Sequence, residues 1–157
     1  MKQINYCLTL VCLVTLSACA ANQTPVTLQA VGPEHRAESH SGKTGYLMVY
    51  SGWAANANID RHTPYTVTTA DGQTTKNVKN SLDMFDGGPT SIALPTGNYQ
   101  VAALATHTGR VIVPVHIEAG ETTSVYLDGY PHLKETADAS TPVVKAPNGT
   151  IVGWAAQ

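Results

Sequence analysis

From Gly45 onward the chain alternates apolar and polar residues with a period of two, in short runs rich in β-branched and aromatic side chains. That period sends successive side chains to opposite faces of a strand. Seven runs carry it: GYLMVYS, PYTVTTA, TTKNVKN, TSIAL, NYQVAALAT, RVIVPVHIE and TTSVYLDG, with turn residues between them. No segment after residue 20 sustains the 3.6-residue period of an amphipathic helix. The pattern predicts an all-β fold, a seven-stranded antiparallel β-sandwich over residues 45–129.

Two turns set the expected register. Asp71-Gly72 is a type I′ hairpin signal, and a two-residue loop there pairs Tyr65 with Val78 and Val67 with Lys76. In the next hairpin Tyr99, Val101, Ala103 and Ala105 should face inward together with Val111, Val113, Val115 and Ile117. That parity needs an odd-length loop, for which His107-Thr108-Gly109 is the expected three residues. It would set His116 opposite residue 100. After the Ala119-Gly120-Glu121 turn, Thr123, Val125 and Leu127 share a face. Pro114 lacks an N–H, which predicts an edge strand or a bulge.

The flanks lack this alternation. Lys2 and the apolar stretch 6–18, broken only by Thr9, Thr15 and Ser17, have signal-peptide length. A spanning helix needs about 20 apolar residues, and this run meets Asn22-Gln23-Thr24 too early. It ends in Leu16-Ser17-Ala18-Cys19, which resembles the lipobox of bacterial lipoproteins. The resemblance implies cleavage between Ala18 and Cys19, a diacylglycerol on the Cys19 sulfur and further acylation, of the palmitate kind, on the new amine. Ala20 in place of Asp implies sorting to the outer membrane, with the domain in the periplasm. Residues 1–18 then read as signal peptide, 19–44 as lipidated Cys and flexible tether, and 130–157 as a polar tail with a docking end.

A second resemblance lies within the alternating region. Leu94, Pro95, Gly97, Tyr99 and Val101, followed by Val115, Ile117, Ala119, Gly120, Thr122, Val125 and Leu127, resemble the second half of carboxypeptidase regulatory-like and PEGA-type domains. These are sandwiches of the immunoglobulin or prealbumin kind. The match covers about 35 residues, and the paired glycine signature of PEGA repeats is missing from residues 45–89. The resemblance implies an accessory or binding module without chemistry of its own.

Composition narrows the partners. Nine Lys and Arg stand against eleven Asp and Glu with no basic run, so the electrostatic footprint of a nucleic-acid binder is missing. All three cysteines fall by residue 19, leaving no later thiol for a disulfide, a thiolate metal site or catalysis. Gly42-Lys43-Thr44 ends like a phosphate-binding loop, but Ala37 stands where its first Gly belongs. None of the six histidines has the i, i+4 helical or alternate-strand spacing of a metal pair, which favours solvated surface positions. Ser, His and Asp occur without a G-x-S-x-G elbow.

Trp53 and Trp154 suit either core packing or contact anchoring, since Trp is enriched in binding hot spots. Three readings follow. The leading one is a non-enzymatic outer-membrane lipoprotein without cofactor, held in the bilayer through Cys19 and offering a binding or envelope-assembly surface to a protein partner. A small-ligand or glycan site would use Tyr50, Trp53 and Tyr65, with Trp154 a further contact candidate. A metal-dependent hydrolase would build its site from His62, Asp83, Asp86 and His107.

Overall fold

The computed structural model describes residues 24–34, 42–53, 62–80, 88–133 and 142–157. Among them are eleven strands and no helix. The strands are β1 (Val26–Thr27), β2 (Val31–Gly32), β3 (Thr44–Tyr50), β4 (Tyr65–Thr69), β5 (Thr74–Val78) and β6 (Ser91–Pro95), followed by β7 (Gly97–Ala105), β8 (Gly109–Ile117), β9 (Thr122–Tyr126), β10 (Val143–Lys145) and β11 (Ile151–Ala155). The larger sheet runs β10-β11-β2-β8-β7-β4-β5, with β1 also on β8; the smaller runs β6-β3-β9.

All seven alternating runs form strands, β3 to β9, but the count of seven is four short. The sheets are also mixed rather than antiparallel: β3 with β9, and both β1 and β2 with β8, pair in parallel. Three of the extra strands, β1, β2 and β10, are two or three residues long, too short for alternation to stand out, and the fourth, β11, reads IVGWA and has no polar positions to alternate. They redraw the expected tether and tail. Residues 26–32 lie along β8, and the docking end, β11, pairs with β2 on one side and β10 on the other.

Pro114 explains why β1 and β2 are separate strands. The Leu28 N–H donates to the Ile112 carbonyl at 2.9 Å, so the even residues of β8 turn their backbone polar groups toward β1 and β2. Pro114 removes a donor on that side, between the contacts at Ile112 and Val115. β8 is therefore an interior strand, contrary to the edge expectation, and the missing N–H falls at a break in its neighbour.

The inward set is as the alternation implies. Leu47, Val49, Val67, Val101, Val113, Ile117 and Val125 are fully buried between the two sheets. Each such side chain is worth about 1.5–3 kcal/mol of burial. Gly45 and Gly153 mark the closest approaches. A Cβ on Gly45 would lie 2.0 Å from the Glu118 carbonyl oxygen, and one on Gly153 would lie 2.6 Å from Val31 Cγ1 and 2.8 Å from the Ser124 carbonyl oxygen.

Two turns differ in detail. Tyr65 pairs with Val78 and Val67 with Lys76 as expected, yet the loop has three residues, Ala70, Asp71 and Gly72. Gly72 adopts φ +86°, and a bulge in β5 absorbs the extra residue before the register resumes. The β7–β8 loop is Thr106-His107-Thr108, one position earlier than expected, with His107 at φ +67° and Gly109 at φ +84°. His116 therefore faces Asn98, whose Oδ1 lies 2.7 Å from its Nδ1. A slip of two keeps every inward side chain inward.

At the crossover from the small sheet to the large one, the Tyr99 hydroxyl donates to the Pro95 carbonyl at 3.0 Å. This tie across the β6–β7 corner has the form of a tyrosine corner.

Candidate functional site

One end of the molecule gathers the ends of β3, β5, β7 and β9 and the starts of β1, β4, β6 and β8. Here β3 leaves its sheet. The Gly52 N–H donates to the Leu104 carbonyl at 2.7 Å, and the Thr63 N–H donates to the Gly52 carbonyl at 2.9 Å. A Cβ on Gly52 would stand 3.0 Å from the Thr106 nitrogen, so a larger residue would push these strands apart. The Trp53–His62 bridge continues this pairing outward.

A buried polar network holds the corner. Asn80, with no exposed surface, donates through Nδ2 to the Val49 carbonyl and the Ser51 hydroxyl, both at 2.8 Å, and its Oδ1 accepts the Thr90 N–H at 3.0 Å. The Ser51 hydroxyl donates to the Thr63 carbonyl, and the Ser51 carbonyl accepts from His62 Nδ1, each at 2.5 Å. Since a carbonyl only accepts, Nδ1 of His62 carries a hydrogen.

The second half of the site follows β9. The Leu127 N–H donates to the Tyr50 carbonyl at 2.7 Å, and the Thr106 N–H donates to the Leu127 carbonyl at 2.8 Å. Asp128 comes next and is buried. Its Oδ1 accepts the Tyr130 N–H at 3.1 Å, and its Oδ2 accepts from His132 Nε2 at 2.7 Å. Gly129, at φ +85°, makes the bend that brings the chain back.

Six rings meet over this framework. His132 stacks on Tyr126 at 4.7 Å and lies 4.4 Å from Tyr50, while Tyr50 and Tyr126 are themselves 5.0 Å apart. Trp53 stacks on His62 at 4.5 Å, and Tyr50 meets His62 edge-on at 5.9 Å. Tyr130, 57% exposed, caps the group 6.0 Å from Trp53. Burial, then the neighbouring Tyr126, then Asp128, hold the Tyr50 phenol above its usual pKa, so it stays neutral. The arrangement offers aromatic faces and edges for contact, and its one buried carboxylate is already engaged by His132.

Of the expected contact residues, Tyr50 and Trp53 come together here through His62. Tyr65 does not. It is 3% exposed within the core, which corrects its place in a ligand surface. Trp154 sits in β11, paired with Gly32 and Val143, and is absent from the ring cluster. His62 is buried rather than solvated, and His107 lies exposed in its loop. Asp83 and Asp86, like Ala18 and Cys19, lie outside the described residues. Among the described residues no group of three or more His, Cys, Asp and Glu is placed to hold a metal ion.

Sequence reasoning missed Ser51, Asn80, Tyr126, Asp128, Tyr130 and His132. Tyr50 and Tyr126 lie at paired positions of β3 and β9. Their adjacency depends on the parallel β3–β9 pairing, which leaves no local signature. No protein-family model, curated protein or solved structure matches this chain.

Proposed function

We propose that this chain is a non-enzymatic, lipid-anchored envelope protein whose all-β domain is a binding module. Its contact surface is the aromatic end built on Tyr50, Trp53, Tyr126, Tyr130 and His132. The single observation behind the reading is that cluster, rings packed together at one end with Tyr130 mostly in solvent. Aromatic side chains of this kind combine large contact area with few torsions to freeze. The lipobox residues Leu16 to Cys19 support anchoring in the outer membrane, with the domain in the periplasm. The tie from Tyr99 to Pro95 supports the immunoglobulin-like kind of sandwich for residues 45–129, widened by β1, β2, β10 and β11.

Two measurements test the reading. The intact mass of protein purified from membranes should show acyl groups on a chain beginning at Cys19, and Cys19→Ala should lose them. Iodination then compares two tyrosines, Tyr130 at 57% and Tyr46 at 45% exposure. In native membranes Tyr130 should be protected relative to detergent-purified protein, and Tyr46 should not. Equal labelling of both in the two settings would remove the aromatic end as the contact surface.

A further inference from the structure

Seven residue steps separate Cys19 from Val26, and an extended chain covers at most about 3.6 Å per step. An acyl group on Cys19 therefore keeps Val26 within roughly 25 Å of its point of insertion. Val26 is not free to wander, because it is paired with Val111 near the start of β8. That start adjoins the Thr106-His107-Thr108 loop, at the same end as the rings.

The same end carries the exposed apolar surface. Of the four exposed large hydrophobic residues among those described, Val26, Leu104 and Tyr130 lie here, beside the half-buried Trp53. The fourth, Tyr46, pairs with Ala93 and Thr122 toward the opposite end. Directly across from Leu104 stands the exposed Arg110, so an aliphatic group and a guanidinium share one face. Apolar groups for the acyl boundary, Trp and Tyr for headgroup depth and Arg for phosphate are the side chains a bilayer interface accepts.

We infer that the partner of the aromatic end is the lipid surface itself, with Val26, Trp53, Leu104 and Tyr130 lying against the interface and Arg110 toward lipid phosphates. The inference rests on the anchored reading above. It turns a tethered domain into one docked with its strands rising from the membrane. Stable attachment needs more than one signal, and this contact adds to the acyl chains.

The two tryptophans supply the test. Trp154 neighbours Gly32, one residue past the Val31–Val115 pair and so level with His116, whereas Val26 pairs with Val111, five positions earlier on β8 and about 16 Å nearer the aromatic end. Protein purified from membranes is reconstituted into phosphatidylethanolamine and phosphatidylglycerol vesicles with brominated acyl chains. In a Trp154→Phe form the remaining Trp53 emission should be quenched severalfold more than Trp154 emission in a Trp53→Phe form. Adding Leu104→Ser and Tyr130→Ser, both at exposed positions, to the Trp154→Phe form should reduce that quenching. The wild-type protein, carrying both indoles, should show the same reduction with this pair if a Trp variant fails to fold. Intact mass separates the two failures. Missing acyl mass removes the anchor and this contact together, while an acylated protein whose Trp53 is quenched no more than Trp154 removes the contact alone.

Discussion

Nε2 of His132 lies 2.7 Å from Oδ2 of Asp128, and that carboxylate is almost wholly buried. The pair closes the segment from Asp128 to His132 over Tyr126 and Tyr50. Removing the acid frees both the Tyr130 N–H and the His132 ring. Asp128→Ala should raise amide exchange across residues 129–133 by an order of magnitude or more, since a hydrogen bond to a charged group is worth about 1.5–3 kcal/mol. The strands of the large sheet should keep their protection. Unchanged exchange at Tyr130 and His132 would mean the pair does not hold the segment.

Asn80 is the tie whose loss should be felt globally. It spends both amide hydrogens and its oxygen on three partners with no exposed surface. Asn80→Ala leaves the Val49 carbonyl and the Thr90 N–H to find other partners, a penalty of about 2–4 kcal/mol by the usual cost of unsatisfied buried groups. Denaturant unfolding should show a lower midpoint with an unchanged slope.

Tyr65 should behave in the opposite way. Its hydroxyl is buried without a hydrogen-bond partner, so Tyr65→Phe should leave stability unchanged or raise it. Burial also holds the phenol well above its ordinary pKa of 10.0. The unfolded chain then releases this proton near pH 10 while the folded chain keeps it, so stability is full below pH 10 and falls as pH rises further. Tyr65→Phe should flatten that alkaline decline, and a melting series from pH 8 to 11 measures it.

Gly153 is required by space. Its missing Cβ would meet Val31 and the Ser124 carbonyl oxygen, one on the neighbouring strand and one on the facing sheet. Gly153→Val should prevent β11 from docking, giving aggregated protein or a thermal midpoint lower by many degrees. Overpacking a close contact costs about 1–3 kcal/mol, and each kcal/mol moves the midpoint of a domain this size by roughly 2–8 °C. Gly149→Ala, with open space but φ +85°, should cost less.

How far the fold could be read depended on the length of each element. The nine-residue runs of β7 and β8 show four or more alternations, and their inward residues from Tyr99 to Ala105 and Val111 to Ile117 are all buried. The two-residue β1 and β2 show none. Loop position was less legible than parity, because a register slip of two preserves which face each side chain takes. The His107 loop shows this: the loop moved by one residue, the pairing by two and the core stayed the same.

By itself, then, the sequence determined the local pattern: seven alternating strands and their inward faces. These follow from period and composition, which neighbouring residues carry. Only the tertiary structure decided that β3 lies parallel to β9, that residues 26–32 join the sheet, and that Tyr50, Trp53, His62, Tyr126, Tyr130 and His132 meet at one end. The reason is physical. Burial is specified by the order of residues along one strand, whereas a surface site is assembled by pairing strands far apart in the chain.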